Sequence, residues 1–251
     1  MDPADVTIVV SSYQQAGSLG EAVRSAQSQS ASCRVVCVDD GSTDGSAEVA
    51  RGLGMDVVEL EHGGALAAFR AGADLVTTDF FLILAGDDAL EPTYVEATRR
   101  AMDDPRVGFA YTGVRYVGAR AGVQRARLFD RRRLLRGNYA HGSSLMRTAA
   151  YRAVGGFDPA FARTLEDWAL WVAMVDAGWI GAAVPEPLLR YTIHEASTRN
   201  ARALRSVYDV RWQIWRRHRR LYGIRGLAVL IASEVLFPFR WAWLRWRPRK
   251  G

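Results

Sequence analysis

Four short apolar runs, at residues 6–10, 35–38, 57–60 and 80–84, alternate with segments of helical periodicity, and this rhythm constrains the fold more than any other feature. Runs of that length and content read as strands buried on both faces, and the helices between them must carry the chain back across the sheet. The pattern predicts βαβ units in a largely parallel sheet covered by helices on both sides. The first helix has a capping-box signature, Ser18 with Glu21, followed by an apolar stripe at Leu19, Ala22, Val23 and Ala26. Further helices are expected at 46–52, 65–76 and 92–102, the last opening on Pro92, where a missing N–H costs nothing. In sheets of this kind ligands bind beyond the carboxyl ends of the strands. Two of the loops leaving those ends are rich in aspartate.

Beyond a further strand at 107–111 the rhythm loosens. An arginine-rich stretch, 115–136, reads either as a solvated surface or as an exposed loop or short helix over the site. A second ordered block spans 141–194, with turn signals at Gly155-Gly156 and Pro185 and a tryptophan-rich helix at about 166–177. At 251 residues and 49% hydrophobic content the chain can bury one large core or two small ones.

The formal charge of +6 comes from arginine, since Lys250 is the sole lysine, and arginines thicken after residue 201. Only that tail mixes basic residues with aromatic ones, so the body does not read as a nucleic-acid binder. Cys33 and Cys37 lie four apart in an apolar run, where buried free thiols are expected rather than a disulfide or a metal pair. The N-terminus has no charged leader followed by an apolar stretch and a cleavage site, which predicts a cytoplasmic body. The segment 226–244 is mostly apolar but contains Glu234, Pro238 and Arg240, a pattern closer to an interfacial segment than to a spanning helix.

The loop Asp39-Asp40-Gly41-Ser42-Thr43-Asp44-Gly45-Ser46 leaves a buried strand and opens a helix. Carboxylates there can accept hydrogen bonds from a base or ribose while helix amides favour an anion, although turn chemistry and capping by Thr43 or Asp44 use the same residues. The loop Leu84-Ala85-Gly86-Asp87-Asp88 follows the next buried strand. Adjacent, partly desolvated carboxylates repel each other, and a hard divalent cation relieves the repulsion while holding a diphosphate.

Taken together, Ser11-Ser12-Tyr13 at the end of the first strand, Asp39-Asp40-Gly41-Ser42, Asp87-Asp88, Arg152-Ala153-Val154-Gly155-Gly156-Phe157-Asp158 and Glu166-Asp167-Trp168 form a spaced set. The chain resembles family 2 glycosyltransferases from about residue 6 to residue 198. The resemblance implies an α/β GT-A fold, a Rossmann-like, mostly parallel central sheet flanked by helices. It implies a glycosyltransferase domain at 1–200, with a nucleotide-binding half at 1–90 and an acceptor half at 91–200, followed by a basic, Trp-rich helical segment at 201–251.

The implied activity is inverting transfer of a sugar from a nucleoside-diphosphate donor to a glycan or lipid-linked acceptor, in cell-envelope polysaccharide synthesis, with Mn2+ or Mg2+ as cofactor. By the same resemblance Ser11, Tyr13, Asp40, Arg70 and Asp87 would contact the donor, and Asp88 and His194 would bind the metal. Asp167 would be the general base, with His141, Glu166 and Trp168 on the acceptor side. From the residues alone, Glu166 and Asp167 equally suit the positive end of a helix, and Trp168 and Trp171 equally suit a core. The sequence departs from the family pattern at Ala85, where the leading aspartate of the metal motif usually stands, and at Phe69-Arg70, where Arg70 would either replace a missing contact or simply face solvent.

In the tail, tryptophan beside arginine suits a lipid headgroup layer, which would make the protein peripheral on the cytoplasmic face of a membrane. A helix packed on the body or on a second copy is the alternative. A different class of function, a catalytically silent nucleotide-sugar-binding scaffold of an envelope assembly, is motivated by Ala85 and Phe69. A phosphoacceptor domain built on Asp39-Asp40 would leave Asp87-Asp88 and the second half of the chain without a role.

Overall fold

The computed structural model describes residues 4–162, 165–194 and 202–222, and the chain divides into two compact units, residues 1–200 and 201–251. In the first unit the strands β1 (Val6–Ser12), β2 (Arg34–Asp39), β3 (Val57–Glu59) and β4 (Phe80–Ala85) lie parallel in the order β3-β2-β1-β4. They are joined by helices α1 (Leu19–Gln27), α2 (Ser46–Gly52) and α3 (Ala65–Asp74). All seven residues of β1 are buried, because it is flanked by β2 and β4 and covered on both faces. The stripe predicted on α1 faces this core. On α3, Gly72 lets the helix approach the sheet so closely that a Cβ there would stand 2.3 Å from Val9 Cγ1.

The rest of the sheet is mixed rather than parallel. Strand β6 (Val107–Gly118) runs with β9 (Ile180–Ile193) in parallel, but β8 (Leu145–Arg147) is inserted antiparallel between β4 and β6. The two-residue β5 (Ala89–Leu90) pairs antiparallel with β9, and β7 (Gly122–Gln124) folds back on β6 as a hairpin. Helices α4 (Tyr94–Ala101), α5 (Arg131–Leu134), α6 (Thr148–Ala153) and α7 (Glu166–Asp176) complete the unit.

Three local expectations change. Pro185 does not end a strand. It lies inside β9, where the register shifts from Thr112↔Val184 to Gly113↔Pro187. A proline lacks the N–H for a regular ladder, and this bulge accommodates it opposite Gly113, where a Cβ would meet the Pro185 carbonyl at 2.9 Å. The stretch 115–136 is not one loop: it continues β6, forms the β7 hairpin and ends in α5, capped by Asp130. The Ser18–Glu21 capping box does not form. Ser18 Oγ donates instead to the Gly86 carbonyl at 3.0 Å, and Glu21 pairs with Arg190 at 2.5 Å. Long-range partners outcompete the local motif and tie the start of α1 to the Asp87-Asp88 loop. Cys33 and Cys37 are free thiols; Cys37 is fully buried as expected, whereas Cys33 is only half-buried.

In the second unit, helix α8 (Arg202–Arg217) supports the expectation of a helical tail over its described part, and the Trp212 and Trp215 rings stack with centroids 4.9 Å apart. The apolar segment 226–244 and the terminal Trp-Arg cluster lie outside the described residues.

Candidate functional site

The parallel half of the sheet brings the ends of β1, β2 and β4 side by side, with Ser11 opposite both Val38 and Ala85. Much of the acidic loop after β2 is spent on its own architecture. Asp39 accepts from Ser42 N–H at 2.8 Å and Ser42 Oγ at 2.6 Å, and Asp44 accepts from Ser46 N–H at 3.0 Å and Ala16 N–H at 2.9 Å. Asp40 is 1% exposed, and its two oxygens accept the Gly63 and Gly64 N–H groups, each at 2.9 Å. This close turn requires Gly41, whose φ is +73° and whose Cβ would lie 2.9 Å from the His62 nitrogen.

Asp40 thus reaches the site through the loop it holds. His62 Nδ1 lies 2.9 Å from its carboxylate, and the His62 ring stacks on the exposed Tyr13 ring with centroids 4.1 Å apart. His62, in the polar run Glu61-His62-Gly63-Gly64, carried no signal in the sequence.

Beyond β4 the Gly86 N–H donates to the Ser11 carbonyl at 2.8 Å, which pins the turn that presents Asp87 and Asp88. Ser11 contributes this carbonyl, while its side chain is buried. Asp87 Oδ2 meets His194 Nε2 at 2.6 Å, so a residue expected at the donor and one expected at the metal are brought together. Asp88 is buried, and its Oδ1 accepts the Thr192 N–H at 2.8 Å. Burial pushes its carboxyl up to about 7; the Thr192 bond opposes the rise, and the Asp87 charge adds to it. Thr192 was not foreseen, because it acts through its backbone from a distant strand.

A cavity of about 650 Å³ opens beside Asp88, within the size range of small-molecule sites. Of the predicted residues its wall takes Asp88, His141, Glu166 and Asp167, and it adds Asn138, Thr112, Tyr116 and Tyr191. Asp167 Oδ2 accepts from Asn138 Nδ2 at 2.7 Å. Burial, and then the neighbouring Glu166 charge, push the Asp167 carboxyl up to about 7. Burial also raises Glu166. The two lead α7, entered through Leu165 at φ +57°, a left-handed conformation uncommon for a branched residue and frequent at functional sites.

His141 Nε2 accepts the Thr112 N–H at 3.2 Å, which places the ring proton on Nδ1, and burial pulls the imidazole down to about 4. Gly142 leaves room beside Asp167, where a Cβ would stand 3.7 Å from the Asp167 Cβ.

Two expectations are corrected. Trp168 is not an acceptor platform: it is 2% exposed, absent from the cavity wall, and its indole N–H donates to the Leu134 carbonyl at 2.7 Å. Its function is to fasten α5 to α7. Arg70 does not face the cavity either. Its guanidinium donates to the Phe157 carbonyl, while Phe69 and Phe157 line the wall. Among the described residues no group of three or more His, Cys, Asp and Glu side chains is arranged to hold a metal ion.

A mixed sheet with a parallel β3-β2-β1-β4 half, flanking helices and an aspartate pair after β4 is the architecture of a GT-A glycosyltransferase. Residues 7–157 match the sequence description of Glycosyl transferase family 2, and the chain belongs to that family. It is 38% identical over 96 residues to succinoglycan biosynthesis protein ExoU of Rhizobium meliloti (strain 1021), covering 36% of this chain and 28% of that protein.

Solved structures with the same fold include two complexes with nucleotide-sugars. S. aureus TarS 1–349 in complex with UDP-GlcNAc superposes with a TM-score of 0.66 at 17% identity, covering 76% of this chain and 59% of that one. The mannosyltransferase PcManGT from Pyrobaculum calidifontis, in complex with GDP-Man and Mn2+, gives 0.62 at 21% identity, covering 80% and 59%. The chain therefore spans less than two thirds of each of these proteins.

Proposed function

We propose that this protein transfers a sugar, with inversion, from a nucleoside-diphosphate-sugar to a hydroxyl of a glycan or lipid-linked acceptor in polysaccharide synthesis. One observation carries the reading. Asp167 stands in the wall of the same cavity as Asp88, with its carboxyl raised to about 7, where a group can both take up and release a proton. The likeness to ExoU supports polysaccharide synthesis, and the donors held by TarS and PcManGT support a nucleotide-sugar.

In this reading the acceptor hydroxyl lies against Asp167, positioned by the Asn138 amide that bonds the carboxylate. Asp167 takes the hydroxyl proton as the oxygen attacks the anomeric carbon. The bond from that carbon to the donor phosphate breaks on the opposite face, and the nucleoside diphosphate departs. His141 and Glu166, which line the same wall, keep it polar. Tyr13, stacked on His62, offers a flat face to the nucleotide, with Asp40 holding the loop beneath it.

The residues present fit a divalent cation with few protein ligands. Asp88 is buried, its Oδ1 accepts the Thr192 N–H, and burial and the neighbouring Asp87 charge both disfavour its ionised form, which a cation would relieve. Asp88 would be the leading ligand of the cation, with His194 beside it, and a bound cation would neutralise the departing diphosphate.

Thermal unfolding with UDP, GDP and TDP, with and without manganese, tests the reading. One nucleotide should raise the midpoint in a metal-dependent way, by about 2.7 kcal/mol of stabilisation at 100 times its dissociation constant, and Asp88→Asn should abolish the rise. No rise with any nucleotide would remove the donor assignment. The silent-scaffold alternative, motivated by Ala85 and Phe69, requires nucleotide binding without transfer. Donor-dependent transfer that disappears in Asp167→Asn would end it. Peripheral membrane attachment through the tail predicts that full-length protein, but not a chain ending at residue 200, sediments with anionic liposomes. Among the described residues no helix is long and apolar enough to cross a membrane.

A further inference from the structure

Three tyrosines line the cavity that holds Asp88 and Asp167, and two of them spend their hydroxyls on the protein. Tyr116 donates to Gln124 Oε1 at 3.2 Å, and Tyr139 donates to the Asp130 carbonyl at 3.1 Å. Tyr191 does not. It is 43% exposed, and among the described residues its hydroxyl makes no hydrogen bond.

Its ring is nevertheless held. Tyr116 stands opposite Tyr191 in the pairing of β6 with β9, and the two rings meet edge to face with centroids 6.1 Å apart. The next residue along β9, Thr192, donates its N–H to Asp88 Oδ1 and its hydroxyl to the Asp87 carbonyl. Tyr191 therefore belongs to the same fixed assembly as the aspartate pair, with a donor left over for a ligand.

Partial burial raises the phenol above its ordinary value, and the charges of Asp88, Asp87 and Asp167 add to the rise. The hydroxyl thus feels the carboxylates of both halves of the site. It keeps its proton at neutral pH, so it can donate a hydrogen bond but cannot take a proton from the acceptor. In the transfer reading the acceptor oxygen lies at Asp167 and the donor phosphates lie toward Asp88. On that side, the oxygen leaving the anomeric carbon is the one that gains charge. Position 85 is alanine, so a cation there has few carboxylates to hold it, and a donor from the cavity wall supplements its neutralising effect.

We propose that Tyr191 is a further catalytic residue, whose hydroxyl donates a hydrogen bond to the terminal phosphate of the departing nucleoside diphosphate. The inference rests on the glycosyl-transfer reading and adds a residue to it. As the bond from the anomeric carbon to the phosphate oxygen breaks, that oxygen keeps the electron pair and the diphosphate gains a negative charge. The Tyr191 proton stays on the phenol throughout, because the one proton released, that of the acceptor hydroxyl, goes to Asp167. A donor aimed at charge that develops only as the bond breaks lowers the barrier without tightening the hold on the intact donor.

Calorimetric titration of the full chain with bare nucleotides, manganese present, tests this: UDP against UMP, GDP against GMP and TDP against TMP. The free diphosphate carries the charge that the departing group develops, and the monophosphate lacks the phosphate in question. Tyr191→Phe keeps the ring and removes the donor. It should lose about tenfold or more in affinity for the diphosphate that the wild type binds, and keep its affinity for the matching monophosphate. Tyr191→Leu, which removes the ring as well, should lose no more than that. An equal loss for diphosphate and monophosphate in Tyr191→Phe would overturn the proposal, and a loss confined to Tyr191→Leu would overturn it in favour of the ring as a stacking face. Wild-type binding of a diphosphate that is indifferent to Tyr191→Phe sinks this inference alone. A wild type that binds none of the diphosphates sinks the transfer reading and this inference with it.

Discussion

Replacing Asp167 with asparagine should make the protein more stable, and increasingly so as the pH rises. The carboxyl titrates at about 7 in the fold, raised first by burial and second by Glu166, against about 3.9 in an unfolded chain. A folded value above the unfolded one means that the stability it contributes is fully present below about pH 4 and is lost as pH rises through about 7. At pH 4.5 the unfolded carboxyl is largely ionised, and about 1 kcal/mol of that loss has occurred; by pH 8 it approaches about 4 kcal/mol.

The increment between the two pH values is therefore at most about 3 kcal/mol, and roughly half of that once the open cavity beside the carboxylate is allowed for. Asparagine has the same shape, cannot ionise, and keeps an oxygen to accept the Asn138 amide. At roughly 2–4 °C per kcal/mol for a domain of this size, the advantage in midpoint of Asp167→Asn should grow by about 3–6 °C from pH 4.5 to pH 8. Melting curves followed by circular dichroism at several pH values measure it. An offset that is constant with pH, or one that shrinks as pH rises, would refute the argument that burial raises this carboxyl.

Asn138→Ala removes a bond that favours the charged form of Asp167. The acid limb of the transfer rate should move from about pH 7 to about pH 8, with roughly a fivefold loss at pH 7 and almost none at pH 9; an equal loss at every pH would mean that Asn138 only positions the substrate. Trp168→Phe should cost about 1–2 kcal/mol in urea unfolding through the lost bond to Leu134, with KM for the acceptor unchanged. A raised KM would restore Trp168 to the acceptor site. Gly72→Ala sets helix propensity, which favours alanine by about 1 kcal/mol, against a Cβ 2.3 Å from Val9 Cγ1. Overpacking of about 1–3 kcal/mol should win, and urea unfolding giving a stabilised variant would show that α3 can shift away from the sheet.

The amino-acid sequence alone determined the parallel half of the sheet. The runs within β1, β2 and β4 are apolar without alternation because both faces are covered, and that pattern is local. The positions of Asp87-Asp88 after β4 and of Glu166-Asp167 at the head of α7 follow from the same local logic. Strand direction is not local. Nothing within Leu145–Arg147 says that this segment enters the sheet antiparallel between β4 and β6, or that Pro185 sits in a bulge and not a turn.

The partners of the site's polar groups were equally hidden. Asp88 is bonded by Thr192 and Asp167 by Asn138, residues far away along the chain, and Ser18 and Glu21 gave up a local cap for Gly86 and Arg190. Asp40 turned inward to the amides of Gly63 and Gly64, and Trp168 to the Leu134 carbonyl. Which acceptor a buried donor meets depends on what the fold brings within about 3 Å, because an unmet polar group in the interior costs more than a local bond returns. Periodicity and apolar content therefore determined the strands and helices, and the tertiary structure alone decided which carboxylates face the cavity and which ones build it.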